Sequence, residues 1–437
     1  MPRTINEVAV IGAGTMGAGI AGVCAAAGYP VVLLDLIEGA ASQAVERLSS
    51  GKRPVLTAEQ AALISCGSLG QDLETIADCD WICEVIVEKL EPKRELYQRI
   101  EPIRKPGSIV SSNTSGIPLK DLTDGMPDSL RRDIAITHFF NPVHVMKLLE
   151  LVPGEDTSDD VITTLAEFCG KKLGKGAVYA KDTVNFIGNR IGCFWILSGL
   201  HIGEKALRNG LTTESIDALM SEPMGFPSTG LYGLCDLIGL DIMESVAKNL
   251  AANLPEDDIG HQYTAFPAAE QAMFDQGQLG RKTGGGFYKL LRHDDGSKTM
   301  QIFDLVTEQW RDAQPVTLAD SQQDCAELLF GDSNESQFAW EIMSLTLAYA
   351  ADLVPEIADD IVNVDRAMRW GFNWARGPFE MIDQLGPTRF MDKLQAENRP
   401  VPKMLAVLAS ASAEQFYRND GTEYLGVDGQ YHPVPAE

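Results

Sequence analysis

No apolar run in this 437-residue chain is long enough to cross a bilayer, so the sequence excludes a membrane-spanning helix. Met1-Pro-Arg-Thr leads directly into an apolar strand, which leaves no room for a signal peptide and gives the expectation of a cytoplasmic protein. Metal-binding spacing is missing too. The eight cysteines (24, 66, 79, 83, 169, 193, 235 and 325) form no CxxC pair and no His/Cys cluster, and several sit inside apolar runs. They read as reduced core residues, and no structural metal site is expected. Positive charge is in short supply: 36 Lys and Arg against 62 Asp and Glu leave a formal charge of −26. That balance opposes nucleic acid or an anionic membrane as a partner. Local basic residues are informative only if a ligand is itself a polyanion, the candidates being Lys52-Arg53, Lys93-Arg94, Lys171-Lys172, Lys181, Arg190 and Arg281-Lys282. For about half of them, decoration of helix ends is the simpler reading.

What is present begins with Glu7 to Asp35, where Val8 to Ile11 is an apolar strand, Gly12-Ala-Gly14-Thr15-Met16-Gly17 a turn, Ala18 to Ala27 a helix of small residues, and Val31-Val-Leu-Leu-Asp35 a second strand closed by an acid. Gly12 suits the tight turn, Gly14 lets backbone approach a pyrophosphate, and Gly17 lets helix and strand pack closely. The helix start offers amide donors and the positive dipole end to phosphates. Asp35, eighteen residues after Gly17, is placed to hold a ribose diol and to repel a 2′-phosphate, so NAD is favoured over NADP.

A composition of 45% hydrophobic and 22% charged residues is ordinary for a globular protein, and the length suggests two to four domains. To about residue 182, short apolar strands alternate with helices, which argues for an α/β, doubly wound, mainly parallel sheet. The strands are read at Trp81 to Val87, Ser108 to Ser112, Ile134 to His138, Leu148 to Val152 and Gly174 to Ala180, with helices at Lys89 to Glu101 and Asp159 to Lys172. From Thr183 the period is helical. Phe186 to Arg208 is apolar on most sides and carries Gly188, Gly192, Gly199 and Gly203, as a helix buried in a bundle or a dimer interface would. The domains are therefore set at 1–182, 183–290, a polar connector at 291–335 with a hairpin around Met300 to Trp310, and a second helical domain at 336–437. That last domain repeats the first. Asp217-Ala-Leu-Met, Gly225-Phe-Pro and Asp236-Leu-Ile-Gly239 return as Asp365-Arg-Ala-Met, Gly371-Phe-Asn and Asp383-Gln-Leu-Gly386. The second copy lacks a counterpart of Asn189-Arg190, and a structural or interfacial role is expected of it.

A nicotinamide enzyme that oxidises an alcohol needs a base for the hydroxyl proton, and histidine suits neutral pH. Of six histidines, His138 ends a strand, where ligands of open α/β sheets sit. Glu150 lies inside the apolar strand Leu148-Leu-Glu-Leu-Val152, where a charge demands a partner. Two strands with a short connection bring the carboxylate to the imidazole; a satisfied core histidine and a structural salt bridge are the alternatives. His144, in a Pro-Val-His-Val connection, is the rival base. Asn113-Thr-Ser115 follows another strand end and faces the same cleft, unless it is an ordinary turn cluster.

The strings Gly-Ala-Gly-Thr-Met-Gly, Ser-Asn-Thr-Ser115, His138-Phe-Phe-Asn141-Pro, Met-Lys-Leu-Leu-Glu150 and Asn185-Phe-Ile-Gly-Asn189-Arg together resemble the L-3-hydroxyacyl-CoA dehydrogenase family over about residues 1–290, and the second helical module resembles the duplicated C-terminal domain of its longer members. The resemblance implies a Rossmann-like domain joined to a helical domain, NAD as cofactor, an acyl-CoA substrate, and oxidation of L-3-hydroxyacyl-CoA to 3-oxoacyl-CoA as in fatty-acid β-oxidation. It makes His138 the catalytic base and Glu150 its orienting partner, with Ser115 and Asn189 on the substrate. Asp35, Glu88, Lys93, Ser115, Asn141 and Lys282 match positions that line NAD, beside Gly12, Gly14, Thr15, Met16 and Gly17.

Departures from the family pattern leave rivals in place. The helical excursion Gly39 to Leu69 is short and contains Pro54, so CoA contacts there are unassigned beyond Lys52 and Arg53 as candidates. This motivates a dehydrogenase of a CoA-free hydroxy acid as one alternative. A cofactor-binding assembly module for a hydratase or thiolase partner is another. The resemblance is closest to the dehydrogenase half of fusions with enoyl-CoA hydratase, yet the chain ends at Tyr431-His-Pro-Val-Pro-Ala-Glu437, as a stand-alone enzyme or a piece of such a fusion. A homodimer and a pseudo-dimer through the duplicated domains are equally open.

Overall fold

The computed structural model describes residues 2–50 and 54–436. Val8–Ile11 (β1), with every side chain buried, runs through the glycine turn into Thr15–Ala26 (α1), and the chain returns as Val31–Asp35 (β2). Ala40–Ser49 (α2), Ala58–Ala61 (α3) and Ile64–Ser68 (β3) follow, so the segment read as a helical excursion also supplies an edge strand. Only Ile64 of that strand is buried, which is why no apolar run announces it. Trp81–Glu84 (β4) and Leu90–Ile100 (α4) lead to Ile109–Ser112 (β5), the short helices Leu119–Thr123 (α5) and Asp128–Asp133 (α6), and Ile134–Phe139 (β6). Leu148–Pro153 (β7), Asp159–Lys171 (α7) and Gly176–Tyr179 (β8) complete the layer. β4 stops three residues before the expected Val87 because the Glu84 carboxylate accepts the Ile86 N–H at 2.7 Å and turns the chain out of the sheet.

Among the described residues eight strands form one sheet in the order β3-β2-β1-β4-β5-β6-β7-β8. Every pairing is parallel except β6 with β7. The strand order reverses at β1, between β2 and β4, and the crevice beyond the carboxyl ends of such strands is where open α/β sheets bind ligands. The sheet and its helices belong to one compact unit, Met1–Ile187 with Glu356–Asp359 and Ala436–Glu437; the rest, Gly188–Pro355 and Asp360–Pro435, forms a second.

The second unit opens with Gly188–Arg208 (α8), followed by Thr213–Leu219 (α9), Tyr232–Ile238 (α10), Leu240–Asn253 (α11) and Ala268–Asp275 (α12). Where a polar connector with a hairpin around Met300 to Trp310 was expected, Lys298–Asp304 (β10) and Gln309–Asp312 (β11) form that hairpin, and Tyr288–Arg292 (β9) adds a third strand beside β10 to make an antiparallel sheet. Its strands are half exposed, with only Ile302 buried, so they carry little apolar signal. Cys325–Phe330 (α13), Asn334–Asp352 (α14), Ile361–Gly371 (α15), Pro378–Leu385 (α16), Pro387–Ala396 (α17) and Lys403–Ser410 (α18) follow, then Tyr417–Arg418 (β12), Glu423–Leu425 (β13) and Tyr431–Pro433 (β14) as another three-stranded sheet.

The repeated aspartates make repeated bonds. Asp217 accepts the Tyr232 and Gly233 amides at the start of α10 and the Tyr288 hydroxyl, while Asp236 accepts the Phe287 and Tyr288 amides. In the second copy Asp365 accepts the Phe379 and Glu380 amides at the start of α16 and the Tyr417 hydroxyl, and Asp383 accepts the Phe416 and Tyr417 amides. Each first aspartate packs on a glycine, Gly230 or Gly377, where a Cβ would collide with it. Phe287-Tyr288 and Phe416-Tyr417 thus extend the repeat, and each pair leads into its own small sheet.

The glycines of α8 make room for neighbours. A Cβ at Gly192 would strike the Phe372 ring, one at Gly199 would strike Ile342 and Leu231, and one at Gly203 the Tyr232 hydroxyl. Phe372 and Ile342 belong to the second module, so the chain's own repeat covers this helix. Of the eight cysteines, all free, seven are buried and Cys66 on β3 is exposed.

Candidate active site

The glycine turn lies at the end of β1. Gly12 adopts φ +111°, and a Cβ there would strike the Val85 carbonyl, whereas a Cβ at Gly17 would strike the carbonyl of Gly12. Only glycine satisfies either position. Among the described residues nothing lies within 4 Å of where a Cβ on Gly14 would be, so this backbone faces open space. Gly14 caps α1 without a side-chain hydrogen bond, and the first turn holds no acidic residue, which suits an anion. Asp35 at the end of β2 closes the rim, its carboxylate accepting the Ala13 N–H at 2.6 Å and the Ile37 N–H at 2.9 Å. Leu36 and Ile37, directly after β2, and Val87, on the loop after β4, are exposed apolar residues. A cradle for phosphates, a carboxylate for a diol and apolar flanks fit a dinucleotide.

Along the same sheet edge, the antiparallel register of β6 and β7 sets His138 opposite Glu150. His138 Nδ1 lies 2.6 Å from Glu150 Oε2, and Glu150 Oε1 accepts the Ile187 N–H at 3.0 Å. His138 Nε2 lies 3.0 Å from Ser115 Oγ. His138 is 3% exposed, and its ring packs against the rings of Phe140 and Phe186. A carboxylate that accepts the Nδ1–H leaves Nε2 as the proton acceptor, so this group can take a proton from a hydroxyl and return it.

A third cluster, from β4, α4 and the loop after β5, joins the two. Glu84, at the end of β4 and fully buried, accepts from Lys93 Nζ at 2.7 Å, Tyr97 Oη at 2.8 Å and Ser112 Oγ at 2.6 Å. Lys93 Nζ reaches Glu88 at 3.3 Å, and Glu88 Oε1 accepts the Thr114 hydroxyl at 2.5 Å and the Ser115 N–H at 2.9 Å. The Asn113 side chain accepts the Phe139 N–H at 2.9 Å, tying this loop to the strand of His138. Burial and the Glu84 carboxylate hold the Tyr97 phenol well above its usual range.

Gly12 to Gly17, Asp35, Glu88, Lys93, Ser115, His138 and Glu150 are therefore all brought to the carboxyl edge of one sheet. Asn141 is exposed in the β6–β7 connection, three residues after His138. Asn189 and Lys282 belong to the second unit, Asn189 in the first turn of α8 and Lys282 in a turn at Arg281–Thr283, paired with Asp241. Lys52 and Arg53 lie outside the described residues. Four other basic candidates have acidic partners: Arg94 with Asp124, Lys171 with Glu167, Lys181 with Asp359, and Arg190 with Asp258. Glu84 was not anticipated, although an acid ending the apolar run Trp81-Ile-Cys-Glu84 carries the same signal as Glu150.

Comparison with known proteins decides what this edge belongs to. The sequence profile of the 3-hydroxyacyl-CoA dehydrogenase NAD binding domain matches residues 7–183, and that of the 3-hydroxyacyl-CoA dehydrogenase C-terminal domain matches residues 186–290. The chain is also 38% identical over 298 residues to a probable 3-hydroxyacyl-CoA dehydrogenase of Deinococcus radiodurans, covering 66% of this chain and 84% of that one. The chain belongs to the 3-hydroxyacyl-CoA dehydrogenase family.

Like others in the 3-hydroxyacyl-CoA dehydrogenase family, it carries an NAD-binding domain followed by a helical one. A putative fatty acid oxidation complex trifunctional enzyme of Rickettsia felis is 39% identical, with 87% of this chain and 53% of that one covered. The chain spans little more than half the length, 53–58%, of the curated relatives that match most of it. The crystal structure of an Escherichia coli 3-hydroxybutyryl-CoA dehydrogenase shares the fold at 24% identity and a TM-score of 0.71, covering 93% of this chain and 99% of that one. Within this family fold, Asp35→Ser is expected to raise the NADPH-to-NADH ratio of kcat/KM by roughly 10- to 100-fold. An unchanged ratio in paired steady-state assays would remove Asp35 from cofactor choice.

Proposed function

We propose that the chain catalyses the NAD-dependent, reversible oxidation of an L-3-hydroxyacyl-CoA to the 3-oxoacyl-CoA, as in fatty-acid oxidation. The observation that carries this reading is the line Ser115–His138–Glu150 at the same sheet edge as the glycine turn. Bound NAD supplies the nicotinamide, the acceptor of the hydride. His138 Nε2 takes the hydroxyl proton as the alcohol is oxidised and gives it back in reduction. Glu150 fixes the imidazole tautomer and stabilises the imidazolium that proton uptake creates. Ser115, within hydrogen-bond distance of Nε2, holds the reacting oxygen, and Asn189 is assigned to the substrate by the family resemblance.

The amides from Gly14 to Gly17 take the pyrophosphate and Asp35 the ribose diol. Glu88, Asn141 and Lys282 are assigned to the cofactor, and Lys93, whose ammonium is buried between two carboxylates, acts through Glu88. The name of the Rickettsia relative makes assembly with further fatty-acid oxidation activities part of the same proposal.

The test is NADH oxidation across a ladder of 3-oxoacyl-CoA lengths, with the matching free 3-oxo acids alongside. CoA thioesters are expected to exceed the free acids by at least about a hundredfold in kcat/KM. Preference for the free acids would replace this reading with a dehydrogenase of CoA-free hydroxy acids.

A further inference from the structure

Glu84 is a fully buried carboxylate that neither the glycine turn nor the Ser115–His138–Glu150 line uses. Its bonds lead toward both. Lys93, 1% exposed, sits between Glu84 at 2.7 Å and Glu88 at 3.3 Å, so the ammonium is anchored from one side and aimed at the other. Glu88, whose side chain is 43% exposed, uses Oε1 to hold the 114–116 turn: the Thr114 hydroxyl at 2.5 Å and the amides of Ser115 and Gly116 at 2.9 and 3.3 Å. That turn carries Ser115 Oγ to 3.0 Å from His138 Nε2. Ser112, bonded to Glu84 through its hydroxyl, also accepts the Thr114 N–H at 3.2 Å, a second and shorter route from Glu84 to the same turn.

We propose that Glu84 is a positioning residue: through Lys93 and Ser112 it fixes Glu88 and the 114–116 turn, and so sets Ser115 against the proton-transferring nitrogen of His138. This rests on the function proposed above. Burial explains why a carboxylate is needed. A neutral residue of the same shape keeps the packing and leaves Lys93 as a buried cation balanced only by the more distant Glu88, which is free to relax toward it. The hydroxyl of Ser115 then moves with Glu88, and small displacements of reacting groups are costly in rate.

Glu84→Gln is isosteric, and Glu84→Gln with Lys93→Met removes both charges, so that no unbalanced ion stays buried. Measured with NADH and the best 3-oxoacyl-CoA of the ladder, Glu84→Gln is expected to lower kcat by at least about tenfold with the acyl-CoA KM within about threefold. The double variant is expected to recover the wild-type melting temperature while keeping the kcat loss, because Glu88 still lacks its cation. It is also expected to be no worse than Lys93→Met alone, since both act along one path. A kcat that returns with the melting temperature, or losses that simply multiply, would reduce Glu84 to a structural ion pair and overturn the proposal. If wild type turns over no 3-oxoacyl-CoA, the functional reading fails by itself. Glu84 is then judged by fluorescence titration with NADH at a temperature where Glu84→Gln is fully folded: several-fold weaker binding in that single variant supports the proposal, and wild-type binding overturns it.

Discussion

His138→Gln is expected to lower NADH oxidation on a 3-oxoacyl-CoA by about 10²- to 10⁴-fold and to leave NADH binding within about twofold. Glutamine fills the space between Phe140 and Phe186 and still bonds to Ser115 or Glu150, but it cannot take up a proton at neutral pH. Glu150→Gln is expected to fall in the same range for a different reason. Its carbonyl can keep the Ile187 N–H, which leaves the amide group facing His138 Nδ1. A donor there turns the imidazole to the tautomer whose Nε2 carries the proton, the wrong form for a base, and removes the charge that stabilises the imidazolium. Single-turnover rates and NADH titrations separate the two steps. Full activity in either variant would end the assignment of that residue.

The second large effect is on stability and lies in the helical unit. Glu270 on α12 is fully buried, and among the described residues neither carboxylate oxygen has a hydrogen-bond partner; the nearby Tyr232 hydroxyl is equally unpartnered there. Burial, with the Glu204 carboxylate adding repulsion, pushes the Glu270 carboxyl up to about 8 from the usual 4.5. The native state therefore keeps a proton that the unfolded state has already lost. The stability this group allows is fully present below pH 4.5 and is lost as pH rises through about 8. Between pH 5 and pH 8 the cost amounts to about 3 kcal/mol. Glu270→Leu and Glu270→Gln both remove this dependence, so urea denaturation at the two pH values should show either variant gaining on wild type by about that amount at pH 8. Equal pH dependence in wild type and variants would mean that Glu270 finds a partner in solution.

Much of the site was legible because single residues broke a local pattern. His138 ended an apolar strand and Glu150 interrupted another; a short connection let the one reach the other, but the spacing left a core histidine and a structural salt bridge open, and the family resemblance singled out the pair. Glu84 broke its strand in the same way and passed unnoticed, since no imidazole stood near it in sequence to give the charge a purpose. In the fold, β3 escaped because an edge strand with one buried residue has no apolar run, and β9 escaped because it is half exposed, whereas β10 and β11 are the hairpin expected around Met300 to Trp310. The repeat was visible in its aspartates, but not in Tyr288 and Tyr417, whose partners lie 71 residues away in one copy and 52 in the other.

The small sheet after Tyr288 bears on where the polypeptide can be cut. The C-terminal domain profile ends at residue 290, inside β9, which spans Tyr288–Arg292 and pairs with β10. A protein shortened there keeps Tyr288 on Asp217 but loses the two strands that follow, leaving a frayed stub with unpaired backbone. The same cut strips Phe372 and Ile342 from the glycines of α8 and bares an apolar helix to water. Both wounds invite self-association. A cut beyond Asp312 would keep the small sheet whole and still bare α8, so removing the repeat costs that helix its cover wherever the chemistry lies.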